Sequence, residues 1–320
     1  MAGVHRSAFT EAMKMDMYPW FWEKYALTAV RYPELFDIVQ SDSAYTQFTS
    51  AIGLGELLEK PEGEDLQTDK PIESYTIVCK NTSYGRSVRF SYETISDAKK
   101  SSNLLMDTVG TWGAKVPITK EKFYAKFFNK GAYTAGHAVF NNTITGVVTD
   151  SSGDLIYDGL SFFAATHPDK VGNTYANYSE TNSLSHANLQ TIYTTFTTTN
   201  NRDERGEIID LVPTTLLIPP ALRFTADAIL NSVLIPGSMD NDKNVLSAIV
   251  QPMQWHYLTD ADGWFLGVPK MGLMGTDRED VMLDFWRDET SLDYFASIFT
   301  RWGGCITNWR YWYANNIATS

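Results

Sequence analysis

The stretch from 51 to 92 sets the hardest constraint on how this chain can fold. It reads as a long β-hairpin. Val88, Phe90 and Tyr92 alternate with Ser87, Arg89 and Ser91, the two-residue period of a strand, and Tyr75 to Lys80 is the opposing stretch, also rich in β-formers. Between them, after Gly53 and Gly55, lies the acidic, turn-prone run Glu59-Lys60-Pro61-Glu62-Gly63-Glu64-Asp65. A two-stranded hairpin is marginal alone in water, and no obvious helix precedes this one to supply a surface. It must lie on something else. Charge and proline at a strand-rich tip discourage uncontrolled edge pairing yet permit one chosen dock. Glu59, Pro61, Glu62, Gly63, Glu64 and Asp65 are therefore the candidate contact residues.

Residues 1–50 read as an arm. Trp20, Phe21, Tyr25 and Val30 crowd a short helical stretch expected to stop at Tyr32-Pro33, because a residue before proline avoids the helical region. A second short helical stretch is expected from Glu34 to Val39. Aromatics this close to a terminus need cover, from the rest of the chain or from a neighbouring subunit. Residues 93–130 are the longest helical candidate. Leu104, Leu105, Thr108 and Trp112 recur at helical spacing, Pro117 should kink or split the helix, and Phe123, Phe127 and Phe128 resume the stripe up to a stop at Gly131.

A loop-rich and strand-rich region follows to 183. Helix returns at Ser185, a good N-cap, with Leu189, Ile192, Tyr193 and Phe196 on one face. Leu211 to Ile218 is a buried strand, Pro219-Pro220 opens another helix, Val245 to Trp264 holds strands, and Val281 to Tyr313 is mostly strand with a break at Gly303-Gly304. Helices and strands are grouped rather than alternating, so the class is α+β.

Composition narrows function. The net charge of -12 and a pI near 4.9 exclude a binder of the basic-groove kind, since such a surface repels phosphate backbones. An acidic container can still enclose nucleic acid. The two cysteines, Cys79 and Cys305, imply no disulfide framework and point to a reducing cytoplasm. No stretch reads as a signal peptide or a membrane span.

Common catalytic signatures fail one by one. Gly131-x4-Gly136 has phosphate-loop spacing, but His137 stands where lysine is needed. Asp240-Asn241-Asp242-Lys243-Asn244 begins like a calcium loop, but Val245 and Gln251 replace the required glycine and glutamate. The five histidines show no zinc spacing. Thr166-His167-Pro168-Asp169 is the most suggestive cluster, and with no nucleophile motif beside it His167 is expected to order its own loop. The acids from Glu59 to Asp69 fit a solvated tip better than a glycosidase pair. Trp302, Trp309 and Trp312 fit core or interface packing better than a sugar platform. No catalytic residue, cofactor or metal site is expected.

Four stretches carry a family resemblance: Tyr84-Gly85-Arg86-Ser87-Val88-Arg89-Phe90-Ser91-Tyr92-Glu93; Asp158-Gly159-Leu160-Ser161-Phe162-Phe163 with Thr166-His167-Pro168 and Gly172-Asn173; Val212-Pro213-Thr214-Thr215-Leu216-Leu217-Ile218-Pro219-Pro220-Ala221-Leu222; and Phe299-Thr300-Arg301-Trp302-Gly303-Gly304 with Asn308-Trp309-Arg310. In order and spacing the chain resembles the major capsid proteins of tailed bacteriophages, which share the Hong Kong 97-type fold, and most of all the Mu-like major head subunits. The resemblance implies an N-terminal arm (1–50), an extended loop (51–92), a peripheral domain with a spine helix (93–184), an axial domain (185–280) and return strands of the peripheral domain (281–320).

It further implies a non-enzymatic subunit that self-assembles as hexamers and pentamers of an icosahedral shell. That shell would enclose double-stranded DNA without sequence-specific binding and without a membrane. Assembly in the host bacterial cytoplasm would involve a separate scaffolding protein and a portal, since the arm follows almost directly after Met1. The tip residues named above would then be an inter-subunit contact. Two other readings are an encapsulin-like nanocompartment shell, with the same fold and an enzyme cargo, and a carbohydrate-active protein built on the tryptophans and carboxylates.

Overall fold

The computed structural model describes residues 18–52, 57, 59–66, 68, 72–93, 101–132, 142–144, 156–235, 243–247 and 249–317, and leaves aside the side chains at 49–52, 72–74, 101–107 and 142–144. The start of the calcium-like run, Asp240 to Asp242, and the second glycine of the Gly131–Gly136 pair lie outside the described residues.

The backbone of the molecule is a helix of 29 residues, Ser101–Asn129. Pro117 does not split it. A proline ring inside a helix presses on the carbonyl four residues back, and here that residue is Gly113. What glycine itself contributes at 113 is room for packing. A Cβ there would collide with the carbonyl of Phe21, and one on Gly110 would collide with the Trp20 indole. The two glycines let the helical residues 18–27 lie close against the spine. Phe21 is thereby fully buried with Val109, Val116, Leu283, Phe285, Ala296 and Ile298, so part of the arm is covered by its own chain. The next helix is the short Tyr32–Leu35, so that Tyr32-Pro33 opens a helix rather than ending one, and the expected helix to Val39 is strand β1, Asp37–Gln40. The buried carboxylate of Glu121 explains the start. It accepts from the Arg31 and Tyr32 amides, the latter at 3.0 Å, and from the Trp255 indole, which ties the spine to two distant segments.

Strands β2 (Tyr45–Ile52), β3 (Ile72–Lys80), β4 (Thr82–Phe90) and β5 (Asn142–Ile144) follow, and then β6 (His167–Pro168) and β7 (Thr174–Tyr175), which pair with each other. The hairpin pairs differently from the sequence reading. Tyr75 to Lys80 belongs to β3, whose partners are β2 and β5, whereas β4 joins β13 (Tyr294–Ile306). Asn81 is the pivot between the two sheets. Its side-chain amide donates to Ser41 Oγ and the Ser43 carbonyl, both at 2.9 Å, and its oxygen accepts from Thr276 at 2.7 Å. Four strands make up the sheet under the spine, in the order β1-β12-β13-β4, with β12 spanning Leu273–Arg287. Gly303-Gly304 does not interrupt β13. A Cβ on Gly303 would strike the Lys80 carbonyl, and one on Gly304 would press on Phe127 and Tyr124 at 3.2 Å. The pair serves close packing.

A second layer is the five-stranded sheet β10-β9-β11-β14-β8. Its strands are β8 (Tyr178–Ser179), β9 (Thr215–Ile218), β10 (Gln251–Gln254), β11 (Trp264–Gly267) and β14 (Trp312–Asn315). The helix His186–Thr198, capped by Ser185, and the helix Arg223–Asn231 cover it, with Leu189, Ile192, Phe196, Ala226 and Ile229 facing Leu216, Ile218, Trp264 and Leu266. A larger core joins the end of the spine to both layers through Tyr124, Phe127, Phe128, Phe162, Phe163, Phe265, Trp309 and Trp312.

Cys79 on β3 and Cys305 on β13 are fully buried and joined in a disulfide, with Cα atoms 5.3 Å apart, inside the ordinary span. This corrects the expectation of no disulfide. A separation of 226 residues hides the neighbourhood that the turn at Asn81 and the β4–β13 pairing create.

Candidate assembly surface

At the tip of the β2–β3 hairpin, Pro61 to Glu64 form a turn closed by the Glu64 amide donating to the Pro61 carbonyl at 3.3 Å. Gly63 holds φ +87°, the left-handed value that the third residue of such a turn demands of glycine. Glu59, Pro61, Glu62, Gly63, Glu64 and Asp65 are all exposed. Sequence reasoning missed two neighbours. Leu57 and Leu66 are 101% and 78% exposed, so an apolar residue flanks the acidic turn on either side. No ion pair or hydrogen bond to another segment involves these tip residues among the described ones. The acidic, leucine-flanked tip is thus exposed and bonds to no other segment among the described residues.

His167 is the opposite case. Its Nδ1 lies 2.5 Å from Asp158 Oδ2, its Nε2 is 3.2 Å from both the Phe162 carbonyl and Asn177 Oδ1, and its ring stacks on Trp309 at 4.2 Å. Asn177 accepts from the Ala164 amide at 2.9 Å and donates to the carbonyls of Phe162, Trp309 and Trp312. Arg310 is buried, pairs with Glu204 at 2.7 Å and covers the Trp309 ring at 4.4 Å. Its guanidinium pKa is raised. Burial alone lowers it, and the charges of Tyr157, Glu204 and Asp158 outweigh that effect. Burial pushes the Asp169 carboxyl up, but hydrogen bonds from the Asn173 side chain and from the Asn173, Gly172 and Val171 amides prevail and hold it below its ordinary value. These groups stitch residues 156–177 to the C-terminal strands. His167 itself is sealed from solvent, so no substrate reaches it.

Trp302, Trp309 and Trp312 are buried to 1% or less exposure, which denies them a role as a sugar platform. Among the described residues no cluster of His, Cys, Asp and Glu could hold a metal, and no helix is long and apolar enough to cross a membrane.

Residues 75–315, well over half of the chain, match the family model described as "Phage capsid protein". Among solved structures, the mature capsid of bacteriophage PhiM1 superposes with a TM-score of 0.55 at 12% identity, over 92% of this chain and 88% of that one. The capsid of bacteriophage JBD30 gives 0.53 at 13% identity over 72% and 92%, and a chain from Microbacterium phage Oxtober96 gives 0.51 at 11% over 91% and 92%. No curated protein is matched significantly. The structural likeness speaks for the fold, and the family model for the kind of protein: the chain belongs to the phage capsid protein family, a structural and non-enzymatic shell protein with the Hong Kong 97-type fold.

Proposed function

We propose that this chain is a major head subunit of the Mu-like branch, which forms rings of five and six copies and closes them into an icosahedral shell around double-stranded DNA. In this reading residues 1–50 are the arm, 51–92 the extended loop, 93–184 and 281–320 the peripheral domain, and 185–280 the axial domain. Glu59, Pro61, Glu62, Gly63, Glu64 and Asp65 touch a neighbouring subunit. A separate scaffolding protein and a portal are its partners, and assembly takes place in the host bacterial cytoplasm. The observation that carries the proposal is the bare tip, whose charges and leucines find no cover at home. Ring contacts are heterologous, with different patches meeting at each joint, and a tip on one copy against a dock on the next has that form. The net charge of -12 suits a container that holds DNA without gripping it. Negative-stain microscopy of the chain expressed with its scaffolding partner tests the proposal. Closed particles with five- and six-fold rings are expected, and a monodisperse monomer or dimer overturns it.

A further inference from the structure

The hairpin sheet is joined to the four-stranded sheet by two crossings of the chain. One runs from β1 to β2 through residues 41–44, and the other from β3 to β4 through the single residue Asn81. The crossings lie side by side. The Asn81 amide donates to the Ala44 carbonyl at 3.0 Å, and the Ser41 amide donates to the Asp277 carbonyl on β12 at 2.8 Å. Two adjacent crossings make a hinge line, which holds position but leaves rotation open. The Cys79–Cys305 bond is a third tie and stands off that line. Cys79 is two residues up β3 from Asn81, about 7 Å at strand spacing. Cys305 is three residues along β13 beyond Trp302, the last residue there to pair with β4. Non-covalent contacts also hold the hairpin base, since Ile77 is buried in the large core and Tyr75 packs on Tyr157 at 4.9 Å. Contacts of that kind open and close locally, and a covalent tie does not. Both cysteines are 0% exposed, so neither sulfur can be reached while the base is closed. Cytoplasmic thiols are kept reduced, whereas a particle outside the cell meets an oxidising medium.

We propose that Cys79 and Cys305 are a redox-set clamp on this hinge, a thiol pair while the subunit folds and assembles and a disulfide once the particle stands in an oxidising medium. The two compartments rest on the capsid reading above, and the geometry of the clamp does not. The oxidant is a small-molecule disulfide. One cysteine thiolate attacks it, forming a mixed disulfide and releasing one small thiol. The second cysteine then attacks the sulfur of the first, the mixed bond breaks, and a second small thiol leaves. Two protein thiols are oxidised, the small disulfide is reduced to two thiols, and both cysteine protons end on them. The first attack requires the hairpin base to lift, because both sulfurs are sealed. After closure the same burial shields the bond from reducing thiols. The clamp therefore sets slowly, as the hinge opens, and releases more slowly still. Before it sets, the hairpin sheet keeps some freedom about Asn81, and afterwards the angle between the two sheets is fixed.

The test reads the full chain in both states. Cells making shells, and shells kept in oxidised glutathione, are quenched in acid, denatured and alkylated, and mass spectrometry counts the alkyl groups. Two per chain are expected from the cells and none from the oxidised shells. A bond already closed in the cells makes it a permanent crosslink and overturns the switch, and two groups on chains from oxidised shells overturn it by showing no bond. In the purified subunit, oxidation is expected to raise the melting temperature by about ten degrees, the order for closing so long a ring. It should also slow hydrogen exchange across residues 75–90 and 294–306. An unchanged melt and unchanged exchange overturn the clamp. Reduced glutathione should cut the bond of the folded subunit at least about tenfold more slowly than that of the denatured chain, and equal rates overturn the shielding. Cys79→Ala should lose the gain on oxidation, and the same gain in this variant assigns it elsewhere and overturns the pair. Should the variant fold poorly, reduced wild type supplies the comparison. A failure of the capsid reading looks different, because wild type then forms no shells while the subunit measurements still report on the clamp.

Discussion

The hairpin tip and the segment 156–177 are both long, polar and poor in regular structure, yet the fold treats them in opposite ways. In 156–177 His167, Asp169 and Asn177 are buried and each finds several partners within the chain. At the tip every described residue from 59 to 66 is exposed and makes no described contact beyond its own turn. Loop character in a sequence therefore does not separate a structural staple from a segment left exposed. The separation comes from whether the polar groups are satisfied at home, since buried groups must be and exposed ones need not be.

The sharpest break of that comparison is removal of the tip. Deleting Lys60 to Asp69 and closing the gap with a short Gly-Ser turn should abolish shells, or make them fall apart at lower temperature, while the melt of unassembled subunits stays nearly unchanged. Unfolding of the free subunit with assembly spared would place the hairpin in its own core. Next is His167→Ala. It leaves the buried Asp158 carboxylate without its partner, a loss of about 3 kcal/mol. Calorimetry of the subunit should show it, and no enzymatic turnover should disappear.

Asp169→Asn should cost about 1.5–3 kcal/mol, the usual range for hydrogen bonds to a charged group, and its effect should depend on pH. The folded carboxyl titrates below its ordinary value of 3.8. Its stabilisation is therefore complete above that value and is lost as pH falls through the lower folded pKa. Wild type and variant should differ near neutral pH and converge in strong acid; a constant gap would refute the assignment. The smallest effect belongs to the tip again. Gly63→Ala forces a side chain into a left-handed turn at about 1 kcal/mol. That loss should register in shell stability and leave the subunit melt alone. Wild-type shells should also loosen as salt rises, because a charged tip on an oppositely charged dock is screened.

Local signals were legible where local chemistry decides. Ser185 caps its helix through its side chain, and Leu189, Ile192 and Phe196 face the core as their spacing requires. The alternation of Val88 and Phe90 marked a strand, but its partner lies some two hundred residues away in β13, beyond any pattern in the stretch itself. Pro117 misled because the packing of the helix through Val109 and Val116 outweighs the local cost of an interior proline. Gly303-Gly304 looked like a break because a close approach between strands leaves no trace except small residues. The acidic tip could be read from its charges. Leu57 and Leu66 could not, because a leucine between polar residues gives no sign of whether a core will collect it.

The bond between Cys79 and Cys305 makes residues 79 to 305 a closed ring of chain, with the long helix, most strands of both main sheets and His167 itself inside it. A protease cutting once anywhere in that ring releases nothing: the two pieces stay one molecule on a denaturing gel until a reductant is added. A subunit nicked at an exposed loop can thus remain whole in mass and in place, and damage to such a particle is invisible to any assay that does not first break the sulfur bond.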